Sequence, residues 1–64
     1  MKRAEDLRAQ AESKRHLADL ARRAGPGLSV EQDRIMMRRH AQELDAEAAG
    51  LEAQANALER SISR

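Results

Sequence analysis

The chain has 64 residues, no cysteine and no Phe, Trp or Tyr, and its twelve Lys and Arg nearly balance eleven Asp and Glu. That excludes disulfides and thiolate metal sites, and it removes the large anchors that usually supply core area. One small domain spanning 1–64 is the most such a chain can form, and a domain of this size buries only about 60% of the surface it exposes when unfolded.

The first element is a helix expected over about 2–24. Ala, Leu, Glu, Arg, Gln and Lys dominate it, and these are the strongest helix formers. Its stripe of Ala4, Leu7, Ala11, Leu17, Ala18, Leu20, Ala21 and Ala24 is irregular. Lys14 falls within that stripe, where a long stem can lie on apolar surface while its ammonium reaches the edge.

A break follows over 25–29, in "RRAGPGLSVEQD". Gly25 can take the left-handed conformation that closes a helix, and Pro26 cannot continue one. Ser29 and Gln32 have the spacing of a capping box, so a second helix is expected over about 30–62. Arg22 and Arg23 before the break, and Glu31 and Asp33 after it, suit the helix dipoles.

So short a connection predicts an all-α antiparallel helical hairpin. Aligned at the turn, the first helix would cover the second only to about Gly50, leaving Leu58 and Ile62 to project beyond it.

The second helix carries a heptad seam at Met37, Ala41, Leu44, Ala48, Leu51, Ala55, Leu58 and Ile62, with alanine and larger residues alternating. Such layering suits close helix approach, either in a tight pair or in a dimeric four-helix bundle. These eight residues are the expected oligomer interface, with a homodimer as the leading partner and a heteromeric helical partner as another. Near the turn, Leu17, Leu20, Leu28, Val30, Ile35 and Met36 are expected to form a small apolar plug. A second stripe of Ala46, Ala49, Gly50, Ala53 and Ala57 is either a further packing surface or exposed helix filler.

Charge is unevenly spread, basic from Lys14 to His40 and acidic from Ala41 onward. The expected hairpin is therefore basic at its turn and acidic at its open end. In an antiparallel dimer this polarity would set orientation. Alternatively, Arg15, Arg22, Arg34 and Arg38 would contact nucleic-acid phosphates in a salt-sensitive way.

Metal binding and catalysis find little support. Glu12 with His16, and His40 with Glu43, lack the Glu-x-x-His order of carboxylate-bridged di-metal bundles. There is no nucleophile with a recognisable base and no glycine-rich phosphate loop. No cofactor is expected, nor any enzymatic activity. No apolar run is long enough to cross a bilayer, so a membrane role is not expected and a cytoplasmic location is.

The stretches "AESKRHLADLARRAG" and "MRRHAQELDAEA" are similar to the two halves of a class of short, uncharacterised bacterial helical-hairpin proteins. Leu17-Ala18 matches the first element of that pattern, and Ala41 with Leu44 the second; the class often has Trp where this chain has Leu44. The resemblance implies a hairpin and no particular activity. In length and layout the chain also resembles the Rop type of RNA-binding hairpin, whose subunits pair as an antiparallel four-helix bundle. The phenylalanine of that type's RNA face has no counterpart here.

Overall fold

A computed structural model describes residues 3–62. Helix α1 spans Ala4–Ala24, a single 3-10 turn spans Gly25–Gly27, and helix α2 spans Glu31–Ile62. The start of the first helix at Lys2 lies outside the described residues. The two helices pack along each other antiparallel, as an all-helical hairpin about 53 Å long and 15 Å wide.

The break forms differently from the expectation. Gly25 stays right-handed, at φ −53° and ψ −52°, and no described residue has positive φ. Its amide still donates to the Ala21 carbonyl, and the Leu28 amide then donates to the Gly25 carbonyl at 3.0 Å. The chain thus tightens into a 3-10 turn around Pro26 and leaves the helix at Leu28, whose backbone is extended. What recommends a small residue at Gly25 is proximity, because an added Cβ would sit 3.8 Å from the Met37 Cβ. At the start of α2, the Arg34 amide donates to the Val30 carbonyl at 3.2 Å. Val30 therefore takes the cap position, and Ser29 lies one residue outside the place a capping box requires.

Register corrects the estimate of arm lengths. Gly25 ends α1 at the level of Met37, so the first turns of α2 extend past α1 at the turn end. The loop folds back along them. At the other end the Arg8 guanidinium reaches Asn56 and Glu59, and Ala55 is fully buried. Most of the surplus length of α2 thus lies at the turn; Leu51 and Leu58 do not project beyond the first helix, whereas Ile62, 80% exposed, stays uncovered at the open end.

The core is small. Its buried apolar side chains are Leu7, Ala11, Ala18 and Ala21 from α1, with Ala41, Leu44, Ala48 and Ala55 from α2. Six of these eight are alanine, so the backbones approach closely while little large side-chain area leaves water. The apolar plug near the turn does not close: Leu17, Leu20, Val30, Ile35 and Met36 are all exposed. The second stripe, Ala46, Ala49, Gly50, Ala53 and Ala57, also faces outward.

Candidate functional site

The seam divides the hairpin into two long edges with different chemistry. On one edge, each seam residue Leu7, Lys14 and Ala21 is followed by an arginine: Arg8, Arg15 and Arg22. On α2, Leu44, Leu51 and Leu58 are each followed by an acid: Asp45, Glu52 and Glu59. Antiparallel pairing brings these sets together. Arg22 pairs with Asp45, Arg15 with Glu52 and Arg8 with Glu59. Arg15 also approaches Asp45 at 3.9 Å, and Arg8 donates to Asn56 Oδ1 at 2.9 Å. Three rungs seven residues apart make a charge ladder down one side of the molecule.

Individually such exposed pairs contribute little, but a row of them fixes register. The hydrogen bond and charge of Arg8 hold the Glu59 carboxyl below its ordinary pKa, while Glu59 raises that of Arg8. Sequence inspection overlooked this ladder, although both seven-residue series are visible in the chain.

The ladder also revises the picture of charge polarity. Asp45, Glu47, Glu52 and Glu59 meet Arg22, Lys14, Arg15 and Arg8 of the same chain. Much of the charge segregation is therefore answered within one hairpin, and an acidic open end for a partner to read does not result. Of the four arginines considered for nucleic acid, Arg15 and Arg22 are engaged in the ladder. Arg34 and Arg38 lie on the same edge beyond its last rung, beside Pro26, and join none of the ion pairs among the described residues.

The opposite edge mixes large apolar residues with polar and charged ones. An α-helix turns about 20° per heptad away from a strict seven-residue repeat, so two stripes on one helix cannot both stay centred. Here the alanines stay: Ala41, Ala48 and Ala55 are at most 1% exposed. The larger residues rotate outward along α2, from buried Leu44 to half-buried Leu51 and Leu58. Leu17 joins them from α1, on the flank away from the arginines, and remains 51% exposed. Towards the turn, Leu28, Met36 and Met37 border a shallow groove together with Asp33, Arg39, His40 and Glu43. Polar closure of this edge comes from Lys14, whose Nζ donates to Glu47 Oε1 at 2.9 Å.

The eight residues expected at an oligomer interface therefore separate into groups. Ala41, Ala48 and Ala55 lie against α1 of the same chain, with Leu44 nearly enclosed beside them. Met37, Leu51 and Leu58 retain exposed surface, and Ile62, at the open end, is 80% exposed. Leu17, Met36 and Leu28 extend the exposed apolar edge beyond that set.

Glu12 and His16 lie together on the outer face of α1, bordering a shallow depression with Ser13 and Leu17. His40 and Glu43 border the turn-end groove. Among the described residues, no three potential ligands converge as a metal site would require. No described helix is long and apolar enough to cross a membrane. No family model, curated relative or solved structure matches this chain.

Proposed function

We propose that this hairpin is a small self-associating interaction or regulatory module without catalytic activity, two copies pairing through their apolar edges as a four-helix bundle. The observation that carries this reading is the rotation of the leucine stripe out of the intrachain seam. Leu51 and Leu58 turn to the edge where Leu17 stands half-exposed, while the ion pairs occupy the other side.

A second copy is the occupant this edge suits. From Met36 to Leu58 the strip runs about 33 Å at 1.5 Å per residue, more than half of the hairpin's 53 Å length, so two hairpins can align along it side by side. Lys14 and Glu47 sit near its middle, where a two-fold axis would bring both signs of charge from each copy within reach of the other. The single chain also has reason to associate, since six alanines and two leucines give it a thin core.

Light-scattering mass measured alongside circular dichroism across a dilution series tests the proposal. The expected result is a mass of two chains that falls on dilution, with helicity falling alongside it because folding and association are one event. Leu17→Glu, at an exposed helical position, should shift the equilibrium towards the monomer by placing a charge in the contact. A fully helical single chain at every concentration would overturn the proposal. The same chain dimerising equally well with Leu17→Glu would remove the apolar edge from it.

A further inference from the structure

The geometry points to a phosphate-binding cleft at the turn end of the ladder, built by Arg22, Arg34 and Arg38 and suited to a doubly charged phosphate monoester. These three residues, with Ala21, Gly25 and Pro26, line a concave surface of about 340 Å³. No acidic residue lines it.

The cause of the unanswered charge is the ladder's own repeat. Stepping seven residues back along α2 from Asp45 reaches Arg38, so the next rung carries a positive charge where the previous three carry negative ones. Its opposite position on α1 does not exist, because α1 has ended at Ala24. Arg34 stands one turn earlier on the same side. Glu31, one turn before Arg34, joins no ion pair with either arginine among the described residues. Among the described residues, the one carboxylate within ion-pair distance of any of the three guanidinium groups is Asp45, which is held by Arg22.

Two unanswered positive charges favour a phosphate monoester dianion over a phosphodiester, which carries one. Guanidinium groups present paired N–H donors that match phosphate oxygens. Pro26 and Ala21 supply an apolar wall, against which charge interactions are less screened than in open solvent.

The test is an NMR titration of the full chain at low ionic strength with inorganic phosphate, observing the arginine Nε–H resonances. Arg22, Arg34 and Arg38 should shift together and saturate. Arg34→Gln and Arg38→Gln should each weaken binding about tenfold, as loss of a charge-assisted hydrogen bond does. Arg39→Gln removes the same charge from the groove on the opposite edge and should leave binding within about twofold, on the scale of screened surface charge. Circular dichroism of each variant confirms that the hairpin persists.

A second arm compares a short RNA bearing a 5′-phosphate with the same RNA ending in a hydroxyl. Stronger binding of the phosphorylated strand, lost in Arg38→Gln, supports the cleft. Equal binding of the two strands, or equal weakening by Arg39→Gln and Arg38→Gln, would overturn it and assign the arginines to diffuse attraction along a nucleic-acid backbone.

Discussion

Leu7 and Ile62 show how unevenly the large apolar residues contribute. Leu7 is only 4% exposed, opposite fully buried Ala55, whereas Ile62 is 80% exposed. Truncating a buried leucine costs about 2–5 kcal/mol, which is a large share of what so small a chain can have. Leu7→Ala should therefore abolish most of the thermal transition, while Ile62→Ala should move stability by no more than about 0.5 kcal/mol in the isolated hairpin. Circular dichroism melts of the two variants make that comparison. Gly50 behaves in the opposite sense. It lies within α2 with nothing within 4 Å of where a Cβ would stand. Gly50→Ala should consequently raise stability by about 1 kcal/mol through helix propensity alone, measured by urea denaturation. A loss of stability there would show that the alanine stripe around Gly50 is a contact surface after all.

For the helices as elements, the hairpin itself was legible because its signals are local. Helix formers run without interruption until Gly25-Pro26-Gly27, and that break is where α1 ends. The register was harder to read, because it depends on how far the loop folds back along α2, and no local motif states that distance. Heptad reading placed Ala41, Ala48 and Ala55 on one seam with the leucines. It did not anticipate that helical drift would centre the alanines and turn Leu51 and Leu58 to an edge. Nor did a count of charges by segment reveal that Arg8, Arg15 and Arg22 are spaced to meet Asp45, Glu52 and Glu59; that needed both spacings compared in antiparallel order.

The ladder has a pH signature. Glu59 has its folded pKa lowered, chiefly by the hydrogen bond from Arg8. Its stabilising contribution is therefore complete above the unfolded carboxylate pKa and disappears as pH falls through the lower folded value. The difference in melting temperature between the natural chain and Glu59→Gln should be present at neutral pH and close in acid. A difference that persists unchanged below the carboxylate range would mean that Glu59 stabilises the hairpin by something other than its charge.

At the scale of the whole molecule, a rod with charge pairs along one edge and leucines along the other has a sidedness that either helix alone would lack. The two proposals use different parts of it. Pairing of two copies draws on Leu17, Leu51 and Leu58, whereas the phosphate cleft draws on Arg34 and Arg38 across the seam. Saturating inorganic phosphate and sensitivity to Leu17→Glu should accordingly be separable: the variant loses its dimer and keeps its arginine shifts wherever enough hairpin remains folded.

Arg38 has one more consequence, which concerns mistakes in assembly. A seam with a seven-residue repeat can slide by one heptad and still match itself, and an alanine-rich seam resists such sliding less than one with interlocking large side chains. Sliding α1 towards the turn would set Arg22 against Arg38, like charge against like. Sliding it the other way would carry its end about 10 Å further from the start of α2, and the few residues from Pro26 to Val30, already doubled back along α2, have little length left to span that gap. One arginine of the wrong sign and one short loop thus guard opposite directions of the same slip, and the repetitive seam is left with a single alignment.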